Sequence, residues 1–182
     1  DKDFVAYEPF TAKAASYSRT MKEGTTWATL CLPFEVSLAN QNFRAFKLLS
    51  ADDAAEIVEL EEIETSIAAG TPVIIKIKDG ETKLNFKEIA NEVKTAETAN
   101  GNYQLQGLYT QKEFSKNADN NCYIVKGDKL MNPAKLLEKT ATEFVGSKPF
   151  RAYMEDKSSA PVAGARMFSI RIGDGTTAIK QL

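Results

Sequence analysis

The feature that most constrains the fold is a succession of short runs in which apolar and polar residues alternate, separated by turn residues. Such alternation indicates half-buried β-strands, because successive side chains of a strand point to opposite faces of the sheet. We predict strands at residues 27–32, 43–49, 72–77, 83–86, 103–109, 122–126, 150–154, 167–172 and 176–180. This pattern predicts an all-β protein with little or no helix.

Three two-residue connections are typical of β-hairpin turns: Asp79-Gly80, Gly127-Asp128 and Asp174-Gly175. Primed hairpin turns need positive φ angles, which Gly and Asp adopt at low cost. Many short strands with short connections favour a sandwich or barrel over alternating strands and helices. We therefore expect a two-sheet antiparallel β-sandwich with a Greek-key-like strand order.

Residues 50–69 fit two kinds of secondary structure. The segment is rich in good helix formers, and Leu60, Ile63 and Ile67 are spaced as on one face of a helix. Val58 and Leu60, however, also alternate with glutamates as the residues of a strand do. The residues alone leave helix and strand open here.

Composition and charge limit the domain organisation and the partners. A chain of 182 residues that is 43% hydrophobic and 26% charged can form one folded domain, and we predict a single domain over 1–182. The net charge of −2, with basic residues scattered among acidic ones, predicts no nucleic-acid partner. No run reaches the roughly 18 apolar residues of a membrane-spanning helix. Because the sequence starts at Asp1 without a methionine or signal region, we expect a processed or excised part of a longer surface protein.

The absence of histidine narrows the chemistry. It removes Ser-His-Asp and Cys-His catalysis and histidine-ligated zinc, and two cysteines do not complete a structural zinc site. Glycine-rich phosphate loops are also missing from the sequence. We therefore predict a protein that is not an enzyme, with no catalytic residues, no cofactor and no bound metal.

Six stretches resemble a β-sandwich module of secreted and cell-surface proteins of Bacteroidetes. They are YSRTMKEGTTWATLCLPF (17–34), IAAGTPVIIK (67–76), YQLQGLY (103–109), NCYIVKGDKL (121–130), FRAYM (150–154) and GDGTTAI (173–179). The resemblance implies an extracellular or cell-surface location and a non-catalytic role in adhesion or assembly, with a protein or glycan as partner. It also implies a strand at residues 56–62, and it brings no shared catalytic set.

Cys31 and Cys122 are the two cysteines. Cys31 lies between two leucines in a predicted strand that ends at Pro33, which favours a small buried side chain over a reactive thiol. A disulfide between Cys31 and Cys122 is the alternative, because an extracellular compartment is oxidising. The residues leave both interpretations open.

The aromatic residues suggest a first alternative function, a carbohydrate-binding module. Trp27, Tyr17, Tyr109 and Tyr153 would form a sugar-binding platform if their rings met at an exposed edge, because aromatic faces suit the C–H surface of a pyranose. The competing interpretation places these rings in the core or at its rim.

The acidic residues suggest two weaker alternatives. Asp52, Asp53, Asp119 and Asp174 lie in predicted loops that offer oxygen ligands for calcium, although no EF-hand spacing is present. The dense glutamates of residues 56–64 leave open an Asp/Glu-dependent glycoside hydrolase, or an accessory to one. The favoured interpretation of the glutamates is a solvated face.

Overall fold

The computed structural model describes residues 15–88, 102–158 and 166–173, and these ranges are almost entirely β. The strands are β1 Ala15–Thr20, β2 Trp27–Leu30, β3 Val36–Ser37, β4 Phe43–Asp52, β5 Ile57–Ile63, β6 Ser66–Ile67, β7 Val73–Ile77, β8 Lys83–Glu88, β9 Tyr103–Leu108, β10 Lys112–Ser115, β11 Cys122–Lys126, β12 Lys129–Met131, β13 Phe144–Ser147, β14 Arg151–Asp156 and β15 Met167–Ile172. Within the described ranges the one helix, α1 (Pro133–Leu136), is a single turn. Its N-cap Asn132 accepts a hydrogen bond from the Lys135 N–H at 2.8 Å.

Nine of the strands form one mixed sheet in the order β2-β7-β4-β5-β15-β12-β11-β14-β9. Its neighbours are antiparallel except β5 and β15, which run parallel with Val58 opposite Ile170. The pairs β1–β8, β3–β6 and β10–β13 are separate two-stranded ribbons. The β class is therefore confirmed, whereas the purely antiparallel arrangement is wrong at β5–β15. Among the described residues this parallel pair joins the two halves into one sheet, so the two-sheet sandwich is not confirmed.

The large sheet curls until it is nearly a barrel. Strand β2 lies against β11 and β14, and β4 lies against β9. Every strand of the sheet contributes to one buried cluster in the interior: Trp27, Phe46, Val58, Leu60, Ile74, Leu105, Tyr123, Leu130, Met154 and Phe168. Burying a large apolar side chain stabilises a fold by about 1.5–3 kcal/mol, so this cluster is a main source of stability.

A second core covers the outer face of β2, β7 and β4. Trp27 and Ile74 belong to the interior cluster, whereas their neighbours Ala28 and Ile75 belong to the outer one. The ribbons β1–β8 and β3–β6 contribute Tyr17, Leu84, Val36 and Ile67 to the outer cluster. Burial on both faces explains why β7 reads as the nearly continuous apolar run VIIKI.

Most predicted strands form with small shifts of their ends. The predictions for 122–126 and 167–172 match β11 and β15, and that for 176–180 lies outside the described residues. The ambiguous segment contains β5, so the strand is confirmed and the helix is wrong. The side chains of Val58 and Leu60 are fully buried in the barrel, and this burial outweighs the helix propensity of the glutamates between and after them. Six strands were not predicted: β1, β3, β6, β10, β12 and β13.

The predicted turns have different outcomes. Gly127 and Asp128 connect β11 to β12, and Lys126 lies opposite Lys129, so this hairpin is confirmed. Asp79 and Gly80 also form a turn, but β7 and β8 pair with other strands, so a hairpin there is wrong. Only Gly80 has a positive φ, which fits a type II turn, and such a turn splays its flanking strands. The turn predicted at 174–175 lies outside the described residues.

Candidate functional site

Strand β2 is an edge of the nine-stranded sheet, and a few isolated hydrogen bonds rather than a strand ladder engage its outer side. The Thr29 carbonyl accepts a hydrogen bond from the Arg19 guanidinium at 2.8 Å. The Thr29 hydroxyl accepts one from the Ala152 N–H at 3.0 Å, and the Cys31 N–H donates to the Phe150 carbonyl at 3.1 Å. These contacts hold β2 close to the start of β14 and leave a gap beside Trp27 and Ala28.

A cavity of about 390 Å³ opens in this gap, between β2, the turn at Gly127 and the segment that leads into β14. We call it the basic cavity because five basic side chains line it: Arg19, Lys22, Lys126, Lys148 and Arg151. No acidic residue is among the described residues that line it. The chain as a whole carries a net charge of −2, so the cavity is a local concentration of positive charge.

Arg19 and Arg151 meet around the hydroxyl of Tyr17. Arg151 donates to this hydroxyl at 3.0 Å and to the Pro149 carbonyl at 2.9 Å. Burial, followed by repulsion from Arg151, lowers the pKa of Arg19 to about 10, and a hydrogen bond with Tyr17 offsets part of this effect. Burial also lowers the pKa of Arg151. Both groups remain cationic at neutral pH, so this part of the cavity wall is positively charged.

Trp27 lines the same cavity but is 8% exposed, so it is mainly a core residue. Its ring lies 5.6 Å from that of Phe46, centroid to centroid, and the Lys76 ammonium lies 5.5 Å from its centroid. The only tryptophan of the chain therefore borders both the interior cluster and the basic cavity.

The predicted aromatic platform is not assembled as one exposed surface. Tyr17 and Tyr109 lie on either side of Phe150, with ring centroids 5.8 and 6.2 Å from it, and both tyrosines are buried. Tyr153 instead packs edge-on against Phe114 at 5.0 Å. The structure therefore brings Tyr17 and Tyr109 together, and it places Trp27 and Tyr153 elsewhere.

Cys31 and Cys122 are both buried and are not joined by a disulfide, so the alternative of a bridge is wrong in this structure. Cys31 bonds to Phe150, just before β14, whereas Cys122 lies opposite Glu155 near the far end of that strand. Five residues of extended strand span about 16 Å, more than twice the Cα separation that a disulfide tolerates. Burial raises the pKa of the Cys122 thiol to about 12, which is the opposite of a reactive cysteine.

The predicted calcium ligands in the described ranges have structural contacts. Asp52 accepts hydrogen bonds from two backbone N–H groups of its own turn, and Asp119 accepts one from the Ser115 N–H at 2.6 Å. Asp53 accepts from the Tyr103 hydroxyl and from the Arg166 guanidinium. Across residues 15–88, 102–158 and 166–173, no group of three His, Cys, Asp or Glu side chains is placed to hold a metal ion. Asp174 lies outside these ranges.

The glutamates of β5 form ion pairs with neighbouring strands. Glu62 accepts two hydrogen bonds from Arg44, each at 2.8 Å, and Glu61 lies 3.6 Å from the Lys47 ammonium. Glu59 pairs with Arg171 of β15. These contacts agree with the interpretation of the glutamates as a solvated, charge-paired face.

The arginine pair was not predicted, although both residues lie in stretches that carry the family resemblance. The signal in the sequence is an arginine inside a predicted β segment: Arg19 in YSRT and Arg151 in FRAY. Neither arginine indicates a site by itself, because the two meet only when β1 and β14 are brought together across the gap.

No helix in the described part of the chain is long and apolar enough to cross a bilayer. No family model, no curated protein and no solved structure matches this sequence. The resemblance to surface modules of Bacteroidetes therefore stays a prediction.

Proposed function

We propose that this chain is a non-catalytic binding module of a secreted or cell-surface protein of Bacteroidetes, acting in adhesion or assembly. The observation that carries the proposal is the basic cavity beside β2, a concave site of about 390 Å³ in the size range of small-molecule sites. The resemblance of the strand and turn motifs supports the bacterial surface location. The two-layer sandwich belongs to the same proposal, and the two facing halves of the curled sheet support it.

A carbohydrate-binding module is the more specific form of this function. The cavity is lined by the hydroxyl-bearing residues Thr20, Thr25 and Ser147, together with Trp27. Hydroxyl and aromatic groups are the side chains that engage the polar and the C–H surfaces of a sugar. This combination favours a glycan over a protein partner at the cavity.

An Asp/Glu-dependent hydrolase is the second alternative. Hydrolysis of a glycoside needs two carboxyl groups that face each other across the scissile bond. The basic cavity has no carboxylate among the described residues of its lining, and Glu59, Glu61 and Glu62 form ion pairs with basic residues. These contacts favour binding without cleavage.

The test combines binding with product analysis. The protein is titrated with soluble bacterial and plant polysaccharides while Trp27 fluorescence is followed, and the saccharide is then sized by chromatography. A binding module changes the fluorescence and leaves the length of the saccharide unchanged. Release of shorter products, or of new reducing ends, by the purified chain would overturn the proposal.

A further inference from the structure

The strongest unassigned feature of the molecule is the juxtaposition of Arg19 and Arg151 in the wall of the basic cavity. Their elements, β1 and β14, are distant in sequence and do not pair with each other. The described hydrogen bonds of Arg19 go to the Thr29 carbonyl and to Tyr17, neither of which is a carboxylate. Two guanidinium groups in one cavity wall offer positive charge and N–H donors to an anion that enters the cavity.

The geometry also indicates what kind of ligand fits. A guanidinium presents several N–H donors in a plane, which suits the oxygens of a carboxylate or sulfate. Lys22, Lys126 and Lys148 are exposed at the same cavity and attract an anion at longer range. An acidic peptide that added a strand to β2 would need its free edge, but the Arg19 guanidinium and the Phe150 carbonyl already bond to that edge.

We infer that the basic cavity binds an acidic saccharide, whose carboxylate or sulfate group accepts hydrogen bonds from Arg19 and Arg151. This inference rests on the proposed function and names its ligand class. Thr20, Thr25, Ser147 and Trp27 line the same cavity and are then available to contact the sugar ring. A uronic acid and a sulfated sugar both carry an anionic group, and the following test distinguishes between them.

The test uses three sugars that differ only at carbon 6: galacturonate, galactose 6-sulfate and galactose. The chain has one tryptophan, so its indole N–H gives one peak in a ¹H–¹⁵N spectrum and reports directly on the cavity. We expect at least one of the acidic sugars to shift this peak saturably, with an affinity about tenfold or more above that of galactose. The acidic sugar that binds more tightly shows whether the anionic group is a carboxylate or a sulfate.

Two sets of variants locate the anion. Arg19→Gln should weaken binding of the acidic sugar by about tenfold to a hundredfold and weaken the binding of galactose much less. Because Arg19 also bonds to β2, the double variant Lys22→Gln/Lys148→Gln, which changes only exposed side chains, provides a second measurement. It should weaken binding several-fold and reduce the salt dependence. Lys139→Gln, an exposed lysine outside the cavity, is the matched control and should leave binding unchanged.

The outcomes separate the inference from the proposed function. Equal affinity for all three sugars, or no shift of the indole peak with any of them, overturns the inference. An N-acetylglutamate amide that binds as tightly as the acidic sugars overturns the saccharide assignment. Cleavage of a saccharide by the chain contradicts the proposed function instead, whichever sugar is bound.

Discussion

The side-chain hydroxyl of Thr29 accepts a hydrogen bond from the backbone N–H of Ala152 at 3.0 Å. This contact joins β2, an edge of the nine-stranded sheet, to β14 at the place where the barrel does not close. Both residues are buried, with exposed fractions of 6% and 3%. One threonine hydroxyl thus replaces part of a missing strand ladder and fixes the width of the gap that contains the basic cavity.

Thr29→Val should destabilise the protein by about 1–3 kcal/mol, because the buried Ala152 N–H loses its partner while the shape of the side chain is kept. Urea unfolding followed by circular dichroism measures the change. Thr26→Val is the matched control, since the Thr26 side chain is exposed and three positions earlier in the same stretch. Equal stability of the two variants would show that the hydroxyl does not hold the edge.

Phe46→Ala should destabilise the fold by about 3–5 kcal/mol, because Phe46 is fully buried in the interior cluster and packs against Trp27. Leu49→Ala, in the same strand, is the control: Leu49 is 53% exposed, and its loss should change stability by no more than about 0.5 kcal/mol. Chemical denaturation of both variants measures the difference. Similar losses for the two would contradict the assignment of Phe46 to the main core.

Local pattern was enough to find most of the longer strands. Cys122–Lys126 and Met167–Ile172 were predicted with the ends that the structure gives them. Strands β10 and β13 were missed, because they are four residues long, have a single buried side chain between them and pair only with each other. Without a buried face of several residues, such a segment has no periodic signal to distinguish it from a loop.

The basic cavity could not be predicted from local pattern, for a different reason. The parallel pairing of β5 with β15 and the meeting of Arg19 with Arg151 depend on which distant strands become neighbours. Alternation states which face of a strand is buried, but it does not identify the neighbour that covers it. The predicted aromatic platform is not formed for the same reason. Tyr17 and Tyr109 both contact Phe150, whereas Trp27 lies on the interior side of β2.

The two cysteines should behave as thiols that react only when the chain unfolds. Cys31 and Cys122 are 0% and 5% exposed and are not bridged, so the folded protein should react slowly with Ellman's reagent at neutral pH. In denaturant without reductant, two thiols per chain should react. Reaction of none under those conditions would show a disulfide and contradict the structure.

The stability of the protein should fall as the pH rises from about 9 to about 12. Burial, followed by repulsion from the nearby Glu155, raises the pKa of the Cys122 thiol from 9.0 to about 12, and burial raises that of Tyr153 from 10.0 to about 12. In this window the unfolded chain has lost protons that the folded chain retains, so deprotonation favours unfolding. The stabilising contribution of each group is complete below its pKa in the unfolded chain and is lost as the pH passes its pKa in the folded chain.

Cys122→Ala tests this contribution, because it removes one of the groups that titrate in this range. Urea unfolding between pH 8 and pH 11 should show a shallower loss of stability for this variant than for the parent chain, whatever its stability at pH 8. Leu49→Ala is the control that removes no titrating group, and its loss of stability with pH should parallel that of the parent. An unchanged slope for Cys122→Ala would mean that the thiol titrates alike in the folded and unfolded chains, and that its burial in β11 has no effect on its charge state.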